Sequence, residues 1–382
     1  MRIAYAYPWD IAGDPAAPDR IAALGVEAVA LAASYHSTRA ATPFHPAHRI
    51  LDVPHSAFYL PIRPAAWGRL TPAAPSWTAP DAYLVAQDAL RRAGLRVHAW
   101  TVLTHNAHLG GAHPDLVVRN AFGDPYPYAL CPAFEDVVDY CSRLVQEVLT
   151  AGEPDGLILE GCGPMGFSHQ GVHEKTSGAD YDADLLSLCF CTACAPRYPE
   201  GSRARIRTAI DTPITPERPA SPSPEPPVSP IDAALGPLAD EVRAARVSLS
   251  ASLRTRLIAT AREVAPNIPI TLHANPDPWA TGPFAALPTG EPEADVLVGN
   301  CWGDPAKDAA RLSHLRDLCT PGQRVGAYVL ALPPRPTDAT ALAELLTAYA
   351  KAGASEIHLY HAGLAGPERL AAMTAALRQT NQ

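Results

Sequence analysis

The sequence predicts an α/β chain folded as a (β/α)₈ TIM barrel with extended βα loops. Three observations carry this. Short apolar, β-rich runs alternate with longer helical patterns, which is the signature of parallel βα units. There are eight such runs, enough to close a barrel. Several follow a helix ended by glycine: AALGVEAVAL, RRAGLRVHAW and AKAGASEIHL each place Gly at a helix C-terminus one or two residues before a strand.

In order, the expected strands are Ile3–Tyr7, Ala28–Ala32, Val97–Leu103, Gly156–Glu160, Ile268–His273, Val296–Asn300, Val325–Leu330 and Glu356–Tyr360. An open doubly wound sheet is the alternative, but no GxGxxG fingerprint follows any of these strands. Three stretches interrupt the regular pattern. Residues 34–80 form a Pro-rich excursion in which PHSAFYLPI reads as an extra extended segment, and residues 161–210 follow strand four. Residues 211–230, DTPITPERPASPSPEPPVSP, are Pro/Ser-rich and predict a mobile loop inserted between strands four and five. Only four strands precede that loop, and half a barrel leaves open edges, so residues 1–382 are expected to form a single barrel domain.

Composition narrows the function classes. The 382 residues are 47% hydrophobic and 18% charged, ample for a large core. The net charge is −9, from 30 basic and 39 acidic side chains with no basic cluster, which argues against nucleic acid or an anionic membrane as partner. No secretory h-region and no run of 18 apolar residues is present, so a soluble, cytoplasmic protein is expected. In that setting its eight cysteines read as thiols or metal ligands. The oligomeric state is left open.

In a barrel, residues at the carboxyl ends of strands face the catalytic rim. Here those ends are rich in chemistry: Trp9 and Asp10 after strand one, Tyr35 and His36 after two, His105 and Asn106 after three, Glu160 ending four. Strand five runs out through His273 and Asn275, six through Trp302 and Asp304, and eight through Tyr360 and His361. Some will only cap helices or satisfy buried backbone, but together they converge on one rim. The aromatic residues suit the faces of a sugar ring, and the His and Asn side chains its hydroxyls. Glu160 closes the apolar run PDGLILEG, where burial is expected to raise its pKa for general acid work; the alternative is a structural carboxylate paired with an Arg.

Cys189, Cys191 and Cys194 place three thiols within six residues, a spacing that lets one loop wrap a tetrahedral ion. The alternative is three ordinary thiols. A fourth ligand must come from elsewhere, with Cys131, Cys141 and Cys162 as candidates. A closed four-thiolate site is structural, leaving no position for substrate.

The segment Tyr128-Ala-Leu-Cys131-Pro132, a helix ending near Leu149, a strand closing on Glu160 and then CFCTAC resembles the barrel of family 42 β-galactosidases and related glycosidase-like proteins. The match covers about 70 residues in the middle of the chain. The resemblance implies a zinc site on Cys131, Cys189, Cys191 and Cys194, and Glu160 as acid/base. Two positions depart from the family: Leu159 stands where it has Asn, and VGAYVLALPPRP at strand seven carries no nucleophilic Glu. A second carboxylate must then come from another strand, with Asp304 first choice and Asp10 second.

The resulting expectation is a glycoside hydrolase or allied carbohydrate-active enzyme taking a small-molecule or oligosaccharide substrate. Structural zinc and no organic cofactor are expected with it. One alternative is a metal-dependent sugar isomerase or aldolase-type barrel using His36, His105, Glu160, His273 and Asp304. The other is a catalytically silent saccharide-binding barrel.

Overall fold

The computed structural model describes residues 1–170, 174–178, 180–212 and 229–380. Most of the Pro/Ser-rich stretch expected to be mobile, residues 213–228, lies outside them.

Eight parallel strands close into a barrel: β1 Arg2–Ala6, β2 Ala28–Tyr35, β3 Arg96–Val102, β4 Gly156–Glu160, β5 Ile270–Asn275, β6 Val296–Cys301, β7 Arg324–Leu330 and β8 Glu356–Tyr360. Each pairs with its sequence neighbours, and β1 closes the ring on β8 through Arg2↔Ile357 and Ala4↔Leu359. The strands are buried on both faces, as their Val-, Ile-, Leu- and Ala-rich runs require. The three glycines that signalled strand entry do take left-handed conformations, with φ of 81° at Gly25, 81° at Gly94 and 112° at Gly353. A side chain is strained there, and glycine is not.

Seven links carry an outer helix: α1 Ala17–Ala22, α2 Ala82–Arg92, α3 Glu135–Gly152, α4 Ala239–Val264, α5 Pro305–Leu318, α6 Ala339–Lys351 and α7 Pro367–Gln379. The β5–β6 link carries none and spans the gap with the two-residue strand Ala285–Ala286 on β5. The excursion after β2 holds an antiparallel ribbon, Thr38–Ala41 with Ile50–Val53. It also holds the expected extended segment, where Ala57–Phe58 pairs antiparallel with the end of β2.

Two apolar cores result. The larger fills the barrel and the space under its helices. The smaller is built by the long links after β3 and β4 and contains Leu185, Leu188, Phe190, Ile206, Ile231 and Val242 around the cysteines. Helix α4 serves both, with Val242 and Leu249 in the small core and Leu253, Leu257 and Ala261 against the barrel.

Inside the barrel, alternate strands supply successive layers, as closure demands. Tyr5, Trp100, His273 and Tyr328 come from β1, β3, β5 and β7 and pack on one another; the Tyr5 ring lies 4.9 Å from Trp100 and 4.7 Å from Tyr328. Tyr35, Glu160, Asn300 and Tyr360 come from β2, β4, β6 and β8, at the carboxyl ends of those strands. This second set faces the rim.

Candidate active site

A cavity of about 370 Å³ opens at the carboxyl ends of the strands. Trp100 and Tyr328 of the odd-strand layer line it, as do Tyr35, Glu160, Asn300 and Tyr360 of the even-strand layer. The loops add His36, Thr38, His169, Pro283, Phe284 and Trp302. Glu160 is the one carboxylate among the described lining residues.

Glu160 is held by its neighbours in a particular way. The indole N–H of Trp100 donates to Oε2 at 2.7 Å. Nδ1 of His273 lies 3.1 Å from the same oxygen, off the line of a straight hydrogen bond, so the contact is chiefly electrostatic. Behind His273 a polar column runs down the barrel axis. His273 Nε2 is 2.8 Å from the Tyr5 hydroxyl, which is 3.1 Å from His358 Nδ1. His358 Nε2 is 3.4 Å from Glu356, and Glu356 is 2.9 Å from the guanidinium of Arg324 at the far mouth.

The expectation that burial raises the Glu160 pKa is corrected by this arrangement. Burial does push the carboxyl up, but His273, the Trp100 N–H and His36 together outweigh it, and the group sits below the usual range. Glu160 is therefore an ionised carboxylate at neutral pH. No Arg pairs with it among the described residues; the partners are an imidazole and an indole.

Of the other predicted site residues, Tyr35, His36, Trp302 and Tyr360 line the cavity. Trp302 stacks on Tyr328 with centroids 5.4 Å apart and stays 37% exposed, leaving indole surface for a ligand. Asn300 Oδ1 has no hydrogen-bond partner among the described residues. His273 and His105 stand one layer back, both buried.

The remaining candidates are placed elsewhere. Trp9 is buried under the rim, stacked on Tyr7 at 4.4 Å. Asn106 caps the helix Ala107–Ala112, accepting from Leu109 N–H at 2.9 Å, and donates to the Tyr140 hydroxyl. Asn275 accepts from Asp277 N–H in a turn. Asp304 is exposed and caps α5, accepting from the amides of Ala306 and Lys307. Asp10 is buried, accepts from Tyr7 N–H at 2.8 Å, lies 3.8 Å from His361 and lines a separate small cavity. Burial pushes its pKa up to about 7 against the pull of the Tyr7 N–H and Arg20, while burial pushes His361 down to about 3.

Sequence reasoning missed Trp100, His169, Phe284 and Tyr328 as site residues. Period-two alternation along β3 and β7 was enough to point Trp100 and Tyr328 inward. His169 and Phe284 sit in irregular loops that carry no periodic signal.

The cysteines form a second centre. Cys131 follows the hairpin of Val117–Arg119 and Pro125–Leu130, and Cys189, Cys191 and Cys194 come from the link after β4. Cys131 Sγ lies 3.5 Å from Cys194 Sγ, 3.6 Å from Cys191 Sγ and 3.9 Å from Cys189 Sγ, all buried. These gaps are far longer than a disulfide bond of about 2.05 Å. They match the roughly 3.8 Å between sulfurs that sit about 2.3 Å from one tetrahedral ion. Cys141 and Cys162 are buried in the barrel core instead. Beside the four thiols, Arg246 is buried with its Nη1 lacking a partner among the described residues. A dianionic metal–thiolate centre supplies the charge that such a guanidinium needs.

No protein-family model matches the chain, and no curated protein matches it in sequence. Solved structures do match. They include α-L-fucosidase isoenzyme 2 from Paenibacillus thiaminolyticus, with TM-score 0.56 at 13% identity over 100% of this chain and 49% of that one. The catalytic domain of β-amylase from Paenibacillus polymyxa matches with TM-score 0.55 at 12% identity over 97% and 94%. Gan42B, a GH42 β-galactosidase from G. stearothermophilus, matches with TM-score 0.54 at 13% identity over 100% and 56%. The chain thus spans about half the length of the fucosidase and of that galactosidase. Likeness at this identity defines the fold, which is the closed parallel barrel of glycoside hydrolases, GH42 β-galactosidases among them.

Proposed function

We propose that the chain is a glycoside hydrolase-like enzyme in which the ionised Glu160 carboxylate faces the reacting carbon of a bound sugar. One observation carries the reading: the even-strand layer presents a buried carboxylate, with Oε2 engaged by Trp100 and His273, in a cavity rimmed by Trp302, Tyr35 and Tyr360. Glycosidic cleavage passes through an oxocarbenium-like state, and a fixed negative charge beside it is the main stabiliser a protein can offer. The aromatic faces suit a pyranose ring, and the free Asn300 Oδ1 suits a hydroxyl.

This assignment departs from the general-acid role that the sequence suggested for Glu160. A carboxyl kept below its usual pKa is a poor proton donor and a good charge stabiliser or nucleophile. Asp304 and Asp10 do not line the cavity, so protonation of the leaving group is the weak part of such a site, and activated aryl glycosides are its best substrates. A screen of nitrophenyl glycosides with wild type and Glu160→Gln tests the reading. Hydrolysis lost in the variant supports it, and hydrolysis retained in both overturns it.

The four cysteines are proposed to hold one structural zinc. The sulfur spacing and the unpartnered Arg246 fit that ion, and four thiolates leave no open position for substrate. Its role is to tie the link after β3 to the link after β4, which also carries His169.

A further inference from the structure

We propose that His36, His105 and His169 form a second metal site, for a divalent transition ion such as zinc or cobalt, on the wall of the cavity beside Glu160. The three residues come from three βα links, after β2, β3 and β4, and one ring nitrogen from each lies within 4.8 Å of the others. His169 Nε2 is 2.9 Å from His105 Nδ1, and the His36 ring stacks on His105 with centroids 4.0 Å apart.

Hydrogen bonds select the tautomers. The Ser37 carbonyl oxygen can only accept, and it lies 2.8 Å from His36 Nδ1, so that nitrogen carries the proton and Nε2 keeps a lone pair. Gln170 Oε1 is 3.2 Å from His105 Nε2, which places the His105 proton there and leaves Nδ1 unprotonated toward His169. The Gln170 amide in turn donates to the Ser37 hydroxyl at 2.9 Å. One glutamine therefore ties together the supports of two rings, which is the outer-shell arrangement that orients histidine ligands. Burial also keeps the imidazoles neutral, with His169 down at about 4.

The donor set offered is His36 Nε2, His105 Nδ1 and His169 Nε2. His169 gives up its Nε2 proton in favour of Nδ1 on binding, and His36 swings off the His105 face to aim at the shared ion. Imidazole nitrogens suit zinc and its neighbours in the transition series. Three protein ligands leave a position open, and His36 and His169 line the same cavity as Glu160, so that position faces the substrate. The site stands on ring geometry and is separate from the glycosidase reading.

The test uses the full chain with its thiolate site first saturated with zinc. Cobalt(II) is then titrated in, following visible d–d absorption, and bound metal is counted after gel filtration. The expected result is one further cobalt per chain without a thiolate charge-transfer band. His169→Ala should abolish it while leaving the zinc and the melting temperature in place, and Gln170→Ala should weaken it about 10–100-fold. Cobalt bound only with the thiolate band, no cobalt beyond the zinc, or unchanged affinity in both His169→Ala and His36→Ala overturns the proposal. These readouts need no sugar, so their failure and that of the glycosidase reading are distinguishable.

Discussion

Replacing Glu160 by glutamine keeps the side-chain shape and an oxygen to accept the Trp100 N–H, and removes only the charge. A unit charge about 4 Å from a developing cation contributes about 4 kcal/mol at an effective dielectric near 20. Losing that contribution raises the barrier by a similar amount, roughly 10³-fold in rate. The loss should fall on kcat, because a neutral ground-state sugar feels the charge little. Leaving-group dependence then separates two roles. If Glu160 only donated a proton, nitrophenyl glycosides would be spared and poor leaving groups would suffer. As a charge stabiliser or nucleophile, Glu160 is needed whatever departs, so both substrate types should slow together. The pH profile has a defined sign as well: activity is present while Glu160 is ionised and is lost as pH falls through a pKa held below the usual carboxylate range. Steady-state kinetics of wild type and variant on one good and one poor leaving group is the assay. Rates within a few-fold of wild type on both, or a defect confined to the poor leaving group, would refute the reasoning.

Three further outcomes follow from the same geometry. Cys191→Ser should lose zinc by elemental analysis and lower the melting temperature, since a structural ion contributes folding free energy; full stability without zinc contradicts the thiolate assignment. Trp302→Ala removes exposed ring surface and should raise KM roughly 5–10-fold, about 1–1.5 kcal/mol, with kcat little changed; a pure kcat effect would place Trp302 elsewhere in the cycle. Asp10, raised to about 7, binds a proton in the folded chain that the unfolded chain releases, so it loses stability as pH rises toward that value. Thermal melts of wild type and Asp10→Asn should diverge in favour of wild type on acidification from about pH 7 to about pH 4, by about 1.4 kcal/mol per unit, and parallel curves would contradict a raised Asp10.

The barrel was legible because each strand is buried on both faces and bounded by punctuation that few other folds use. Each of the eight expected runs overlaps a barrel strand, and Gly25, Gly94 and Gly353 mark strand entry as read. The missing helix between β5 and β6 was not legible, since a connection of that length permits either solution. The cysteine cluster was half legible. CFCTAC declares three thiols locally, whereas Cys131 joins them only through the packing of two links, and the family resemblance supplied it. The site was least legible where chemistry depends on what lies beneath it. Sequence placed Glu160 at a strand end, but the sign of its pKa shift is set by Trp100 and His273, brought in from β3 and β5. Asp304 looked catalytic because helix caps and catalytic carboxylates share the same position after a strand; its two backbone amides show the former use.

The central claim is that the cavity around Glu160 is a sugar site organised by that carboxylate, and the most direct measurement is binding of a panel of basic imino-sugars to wild type and Glu160→Gln. The account predicts that at least one binds wild type with its ammonium against Glu160 and its ring against Trp302 in a crystal structure. The same imino-sugar should bind Glu160→Gln at least tenfold more weakly, the roughly 1.4 kcal/mol or more expected of a lost buried ion pair. Imino-sugars that bind both proteins equally, or that settle anywhere but this cavity, would contradict it.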